Sequence, residues 1–242
     1  IDTHVPDDLE QRKQLIGLIK EHHLCLVIQQ HQAYGETFES FKKSFFHYLE
    51  ICASANPILI NSHTGKDYFS FEQNMELIDM AQSFSVKCGI EILHETHRGR
   101  FGFSPLVIKK YFDVRPELQI TADFSHWVCV SESFLEGFYE TLHEAILRTK
   151  HIHARIGYEE GPQVSDPRAP EWKYAMDHFF KWWDEIITAR QKEGADLLTI
   201  TTEFGPPPYF HTVPFTNKPL ADLFEVNCYM KELLRNRYAQ FL

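Results

Sequence analysis

The sequence lacks the marks of several classes of protein. No apolar run reaches the ~20 residues that a membrane-spanning helix needs. Neither a GxGxxG nor a Walker A motif marks a nucleotide-binding crevice. No basic run offsets the formal net charge of −10, and an acidic surface repels phosphate backbones. We therefore expect a protein that binds neither membranes nor nucleic acid.

Paired cysteines are also missing. The five cysteines are scattered singly, with no CxxC motif: Cys25, Cys52, Cys88, Cys129 and Cys228. This distribution is typical of reduced proteins rather than of disulfide frameworks or zinc ribbons. We expect buried or partly buried free thiols in a cytoplasmic protein.

What the sequence does contain is a regular alternation of short aliphatic runs and amphipathic stretches. Strands are predicted at residues 1–4, 25–30, 57–63, 90–95, 118–125, 151–157 and 197–205. Helices are predicted at 7–23, 37–54, 71–88, 104–112, 131–148, 171–193 and 219–240. This alternation predicts an α/β fold with a parallel sheet and right-handed crossovers.

The number of strands leaves two architectures open, an open doubly wound sheet and a closed (β/α)8 TIM barrel. With seven strands predicted, the barrel would lack its first strand, which we expect upstream of Ile1, since the chain starts without a methionine. No low-complexity linker divides the chain, so residues 1–242 are expected to form a single domain.

Polar residues gather near the carboxyl ends of five consecutive predicted strands, where barrel enzymes carry their active sites. Alternation in a strand places residues i and i+2 on one face. It groups His151, His153 and Arg155 within the stretch HIHARIG. It also groups Asn61 with His63, Glu95 with His97, Thr121 with Asp123 and Ser125, and Thr199 and Thr201 with Glu203.

Four of these residues, Glu95, Asp123, His153 and Glu203, are predicted metal ligands. Converging carboxylates call for a cation. Three carboxylates and one imidazole suit Mn²⁺ or Mg²⁺ first, with Co²⁺ and Zn²⁺ as alternatives. Three of the four also have a plainer interpretation, because Asp123 and Glu203 could cap helices and His153 could be a hydrogen-bonded core residue.

Such a metal site favours proton transfer beside a carbonyl. Four protein ligands on an octahedral ion leave two positions for a hydroxyl and a neighbouring carbonyl of a sugar. The metal would polarise the carbonyl and stabilise an enediolate. A glutamate on each side of the carbon could remove and return the proton.

The stretches ILHETHRGR, TADFSHW, HIHARIG and TTEFGPP resemble the xylose-isomerase-like TIM-barrel superfamily, in particular its sugar isomerase/epimerase branch. They supply the family's Glu, Asp, His and Glu in family order. The resemblance implies that Glu95 and Glu203 are the catalytic acid/base pair and that both also bind the metal. Asp123 and His126 match the family's DxxH, whose histidine lies near substrate and metal.

Further residues near the predicted site are candidates for binding the substrate, a small sugar or sugar-like hydroxyketone. They are His63, His97, His126, Arg155 and Trp127. A salt bridge of Arg155 to Glu159 or Glu160 is the alternative for that residue, and His151 is expected behind the metal or inside the barrel. The loop at 157–172 is expected to form a lid, and 205–215 brings Tyr209 to the same end.

The sequence departs from the ketose 3-epimerases at two places. Those enzymes carry a Glu shortly after the first metal Glu, where this chain has THRGRF, and an Arg six residues after the metal His, where it has Glu159. Ketose 3-epimerisation is therefore not assigned. We expect a metal-dependent sugar isomerase or epimerase, and family members often form homo-oligomers.

Three other functions stay open. A dehydratase of a sugar or inosose-like ketone would begin with the same proton abstraction. A barrel that binds sugar without chemistry would need no acid/base pair. An endonuclease IV-like nuclease with three zinc ions would need further His and Asp ligands that cannot be mapped here, and the acidic charge disfavours DNA.

Overall fold

The computed structural model describes residues 1–241 and confirms the alternation of strands and helices. The strands are β1 (Asp2–Thr3), β2 (Val27–Gln30), β3 (Leu59–Ser62), β4 (Glu91–Glu95), β5 (Ile120–Ala122), β6 (Thr149–His153) and β7 (Thr199–Thr201). A short antiparallel pair follows, β8 (Thr212–Val213) and β9 (Lys218–Pro219). Six of the seven predicted strands contain an observed strand; the strand predicted at 151–157 overlaps β6, which begins at Thr149 and already ends at His153.

The α-helices number eight within the described residues. They are α1 (Leu9–Glu21), α2 (Phe38–Ser54), α3 (Phe71–Cys88), α4 (Pro105–Val114), α5 (Phe124–Ser131), α6 (Tyr139–Leu147), α7 (Lys173–Lys192) and α8 (Leu223–Tyr238). Three single turns of 3₁₀ helix lie at Glu136–Phe138, Pro170–Trp172 and Ala239–Phe241. None of the helices within residues 1–241 is long and apolar enough to cross a bilayer.

Strands β1 to β7 follow one another in chain order in a seven-stranded sheet. The pairs β1–β2, β2–β3, β3–β4, β4–β5 and β6–β7 are parallel, in registers such as Gln29↔Asn61 and His153↔Thr201. Parallel strands in sequential order with helical crossovers are the topology of the (β/α)8 barrel. The doubly wound alternative is therefore excluded, because its strand order reverses at a switch point.

By its internal contacts the chain divides into two compact units, an N-terminal unit, Ile1–Thr121, and a C-terminal unit that begins at Ala122. The expectation of one domain over residues 1–242 stays a prediction. The N-terminal unit packs α2 and α3 over β2–β4 through Phe41, Phe45, Leu49 and Leu77, all of them fully buried. Both helices begin with a capping box, at Thr37 and Ser70, which satisfies the free amides of their first turns.

The C-terminal unit has an aromatic core. Phe124 and Trp127 of α5 lie 5.2 Å apart, and Phe124 meets Trp182 of α7 edge to face at 5.9 Å. Phe179 packs against both Trp182 and Trp183. Large buried rings at offset or perpendicular angles contribute strongly to burial of apolar surface. They fix α5, whose first residue directly follows Asp123.

Two predicted elements around residue 123 are wrong. The strand predicted at 118–125 ends at Ala122, because Asp123 caps a helix that occupies residues 124–131. Ser125 therefore does not share a strand face with Thr121. The helix predicted at 131–148 begins only at Tyr139, since Glu132 and Leu135 adopt left-handed φ angles of 45° and 66° that interrupt it.

Candidate functional site

Asp123 is the N-cap of α5 and is completely buried. Its Oδ1 accepts hydrogen bonds from the Ser125 amide at 3.1 Å and from Ser125 Oγ at 2.5 Å. The capping interpretation is thus confirmed, but capping uses only one of the two carboxylate oxygens. The other oxygen, Oδ2, faces Arg155 and His126.

Arg155 joins the polar groups around Asp123. Its Nη2 donates to Asp123 Oδ2 and, at 2.9 Å, to His126 Nε2. The face of its guanidinium lies 4.6 Å from the ring centre of Tyr209, a cation–π contact. The alternative of a salt bridge to Glu159 is wrong, because Glu159 instead accepts from Tyr174 Oη at 3.0 Å. Arg155 lies beyond the end of β6, so the predicted shared strand face with His151 and His153 does not extend to it.

His153 and Glu203 approach each other closely. His153 Nδ1 lies 2.6 Å from Glu203 Oε2, at the end of β6 and just beyond the end of β7. Within residues 1–241 this Glu203 oxygen is buried yet makes no hydrogen bond of acceptable geometry. A carboxylate oxygen and an imidazole nitrogen brought this close are donor types that a divalent cation can bind together.

The backbone at Glu203 is held in an uncommon conformation. Its φ is 54°, in the left-handed region that few non-glycine residues occupy. Two side-chain amides hold the next two residues: Asn227 exchanges two hydrogen bonds with Phe204, and Gln163 exchanges two with Gly205. Neither amide was predicted, because such long-range pairs leave no local pattern in the sequence.

Asp123, His153 and Glu203 together fit a divalent metal ion. Each offers one donor atom, and these atoms lie within 4.8 Å of one another. Two carboxylates and one imidazole make a mixed oxygen and nitrogen set that suits divalent ions generally. The C-terminal unit thus brings together three of the four predicted metal ligands.

The fourth predicted ligand, Glu95, lies at the end of β4 in the N-terminal unit and is buried. Its Oε2 accepts from Asn61 Nδ2 at 2.5 Å and lies 2.8 Å from His63 Nε2. The predicted shared face of Asn61 and His63 is confirmed by these two contacts. Glu95, His63 and His97 also bring donor atoms within 4.8 Å of one another, so this group too has the spacing of metal ligands.

Two histidines near Glu95, His97 and His31, have lowered pKa values. Burial, with smaller contributions from the nearby His63 and Arg100, lowers the pKa of His97 to about 3 and that of His31 to about 4. The His97 and His63 rings lie 4.5 Å apart, and His97 Nδ1 contacts Arg98 O at 2.5 Å. The low pKa values keep His97 and His31 neutral at pH 7.

No family model and no curated protein matches the sequence. Solved structures do match. A xylose isomerase-like TIM barrel protein from Mycobacterium smegmatis, in complex with magnesium, is 11% identical with a TM-score of 0.60, covering 98% of this chain and 84% of that one. The D-allulose 3-epimerase from Methylomonas sp., in complex with D-allulose, is 14% identical with a TM-score of 0.56, covering 98% and 86%. The mannonate dehydratase from Streptococcus suis serotype2 is 11% identical with a TM-score of 0.55, covering 98% and 84%.

The chain has the xylose-isomerase-like TIM-barrel fold. The predicted fold class is confirmed, and the resemblance that the sequence carries is confirmed at this level. In a TIM barrel the carboxyl ends of the strands carry the functional side chains. Glu95 and His153 end β4 and β6, and Asp123 and Glu203 follow β5 and β7, so each predicted ligand stands at such an end.

The remaining predicted residues of this xylose-isomerase-like barrel have defined surroundings. His126 is fully buried beside Arg155, and its ring meets Tyr209 edge to face at 6.3 Å. Trp127 is fully buried against Phe124, as core residues are, and its contact with substrate stays a prediction. His151 is buried with Nδ1 2.6 Å from Thr199 Oγ1, which agrees with a place behind the site.

Proposed function

We propose that the protein is a divalent-metal-dependent isomerase or epimerase of a small sugar or a sugar-like hydroxyketone. The observation that carries this proposal is the convergence of Asp123, His153 and Glu203, two carboxylates and an imidazole that together suit a divalent cation, at strand ends of a TIM barrel. The sugar-binding neighbour D-allulose 3-epimerase supports a sugar substrate.

Glu95 completes the proposed metal set. It stands at the end of β4, just as the other three proposed ligands end or closely follow β5, β6 and β7, and in TIM barrels such strand ends carry the functional residues. Mn²⁺ and Mg²⁺ are the proposed ions, because three of the four ligands are carboxylates. The magnesium in one neighbour supports this choice.

Glu95 and Glu203 are the proposed acid/base pair. When bound, the metal would polarise the substrate carbonyl and stabilise the negative charge that develops on the substrate oxygens. One glutamate takes the proton from the carbon next to the carbonyl, and the electron pair of the broken C–H bond passes into the enediolate. The other glutamate donates a proton to a carbon of the enediolate. This second glutamate begins protonated. Its proton, delivered to the opposite face of the same carbon, gives an epimer; delivered to the neighbouring carbon, with transfer of the hydroxyl proton from one oxygen to the other, it gives an isomer.

Polar groups around the pair are proposed to orient the sugar. His63, His97, His126 and Arg155 are candidates for the substrate hydroxyls, and Trp127 for its apolar face. Since Arg155 already neutralises Asp123, it would share its charge between the carboxylate and a substrate oxygen.

A dehydratase is the second candidate. It uses the same first proton abstraction and then expels a hydroxyl instead of returning the proton, so the same residues would serve. The structural similarity to mannonate dehydratase supports this alternative.

The first test is the metal content of protein purified without chelator or histidine tag. We expect about one divalent ion per chain, held by the proposed set. The ion should be lost in an Asp123→Asn/His153→Gln variant and kept in an Asp113→Asn/His143→Gln control, whose residues lie on α4 and α6.

The second readout is chemistry in D₂O with ketopentoses and ketohexoses. Uptake of deuterium beside the carbonyl supports an isomerase or epimerase, whereas loss of water from a sugar acid or ketone supports the dehydratase. No metal after soaking with Mn²⁺ would contradict both, and about three zinc ions would point to the nuclease instead.

A further inference from the structure

A chain of polar contacts runs from Arg100 through His63 to Glu95. Arg100 Nη2 lies 3.4 Å from His63 Nδ1, and His63 Nε2 lies 2.8 Å from Glu95 Oε2. All three residues belong to the N-terminal unit. Arg100 comes from THRGRF, the stretch at which the sequence departs from the ketose 3-epimerases.

The tautomer of His63 follows from its neighbours. A guanidinium has only N–H donors and keeps its proton in proteins, so the His63 nitrogen that faces Arg100 must be the acceptor. A neutral imidazole carries one donor and one acceptor, so the proton lies on the other nitrogen. That nitrogen, Nε2, therefore donates to the carboxylate of Glu95.

We propose that Arg100 and His63 form a relay that positions Glu95. Arg100 fixes the tautomer of His63, and His63 then holds the Glu95 carboxylate at Oε2. The relay rests on the proposed function for what Glu95 does, but its geometry stands on these contacts alone. Its consequence is that His63 is a positioning residue rather than a residue that binds the sugar.

A tight turn delivers Arg100 to His63. The Arg100 amide donates to His97 O at 3.2 Å, which closes a four-residue turn over His97–Arg100. The third residue of this turn, Gly99, has φ 73°, a value that a type II turn requires at this position and that glycine adopts without strain. The sequence THRGR thus folds so that its second arginine returns toward β3.

Asn61 complements the relay. Its Nδ2 donates to the same Glu95 oxygen at 2.5 Å, from β3, which His63 directly follows. Two donors on Oε2 fix the rotation of the carboxylate, so its two oxygens become chemically distinct. Such supporting contacts orient a ligand or an acid/base group, and their loss typically costs ~10–100-fold in activity or metal affinity.

Metal coordination by His63 is the competing role, since His63, Glu95 and His97 have suitable spacing. Coordination through Nε2 needs the opposite tautomer, with the proton on Nδ1. In that tautomer Nδ1 and Arg100 would present two donors to each other. The structure therefore favours the relay, and the two roles make opposite predictions for the proton.

The deciding measurement is ¹⁵N NMR of the full-length protein with labelled histidine, because imidazole nitrogen shifts report which nitrogen is protonated. We expect His63 protonated at Nε2, with Nδ1 bare. Arg100→Met should abolish this preference, Arg100→Lys should keep it in part, and Arg98→Met, two positions earlier in the same turn, should leave it unchanged. A proton on Nδ1 in the wild type, or a Zn²⁺ ion bound through Nε2, would overturn the relay.

Kinetics then test whether the relay positions Glu95. We expect His63→Leu to lower kcat by ~10–100-fold with little change in KM, and His63→Gln, which retains an N–H donor, to recover most of the loss. A rise in KM alone would mean that His63 binds substrate and would refute the positioning role. The NMR result holds whether or not a sugar is turned over, so failure of the relay and failure of the proposed function remain distinguishable.

Discussion

The two proposed acid/base glutamates are held in opposite ways. Glu95 is fixed through its carboxylate, because Asn61 and His63 both contact Oε2. Glu203 is fixed through its backbone, at φ 54° with the following residues held by amide pairs, while its Oε2 makes no hydrogen bond within residues 1–241. Contacts to the side chain thus orient Glu95, whereas the conformation of the main chain orients Glu203.

This difference assigns unequal tasks to the two groups. A carboxylate that is held by two donors is pre-oriented, which suits a metal ligand. The Glu203 carboxylate, which lies beside His153 without a second hydrogen-bond donor on the same oxygen in the described part of the chain, is better placed to exchange between a metal, His153 and a substrate proton. Substitutions around Glu95 and substitutions around Glu203 should therefore affect different properties of the protein.

The largest expected effect is that of Glu203→Gln. The amide keeps the size of the side chain but cannot take up a proton, so we expect kcat to fall by ~10²–10⁴-fold. Metal binding should weaken less than in Asp123→Asn/His153→Gln, because two of the three ligands of the C-terminal unit remain. Steady-state turnover and metal titration of the two variants check this.

Glu185→Gln, on the helix α7, is the matched control for that substitution. It should retain wild-type kcat. Full turnover in Glu203→Gln would remove Glu203 from the acid/base pair and would leave Glu95 as the only candidate of the two.

The second-largest effect is expected from substitution of Arg155, whose guanidinium is a buried positive charge in the C-terminal unit. Arg155 is buried and pairs with Asp123, and its Nη2 lies 3.8 Å from Glu203 Oε2. Arg155→Met leaves buried carboxylate charge without its partner, so the metal-free protein should lose ~3–5 kcal/mol of unfolding free energy. A divalent ion should restore more stability to this variant than to the wild type, because the guanidinium no longer repels it.

Thermal denaturation with and without Mn²⁺ measures both effects. Arg168→Met is the control, since Arg168 is partly exposed and pairs with Asp166 at the surface, where such pairs contribute at most ~1 kcal/mol. Unchanged stability of metal-free Arg155→Met, or weaker Mn²⁺ binding, would show that Arg155 supports the metal site instead of competing with the ion.

Only part of the surroundings of the proposed ligands can be predicted from the sequence. Alternation in β3 places Asn61 and His63 on one face, and the structure bears this out at Glu95, because strand periodicity is a local property. Asp123 was expected inside a strand, yet it ends one, since a single capping carboxylate outweighs the β-propensity of its neighbours. The partner of Arg155 was missed because ion pairing across strands is decided by tertiary packing.

The side-chain amides that hold the main chain after Glu203 cannot be predicted from the sequence. Asn227 lies 23 residues from Phe204 and Gln163 lies 42 residues from Gly205, so no window of sequence contains either pair. The loop at 157–172 was predicted as a lid from its Gly and Pro content. In the structure one residue of this loop, Gln163, anchors the chain after β7, and the lid stays a prediction.

The smallest expected effect tests that anchor. Gln163→Met keeps the volume of the side chain and removes both hydrogen bonds to Gly205, which lie at 2.8 and 3.2 Å. Two backbone groups then lose their partners, so the protein should lose ~1–3 kcal/mol of stability. Urea unfolding measures this, with Gln191→Met on the exposed side of α7 as the control.

If the main chain holds Glu203, Gln163→Met should also lower kcat, by less than Glu203→Gln does, while the tautomer of His63 stays unchanged. A variant that loses stability but keeps full kcat would show that Glu203 is positioned by His153 or by the metal, and not by the main chain.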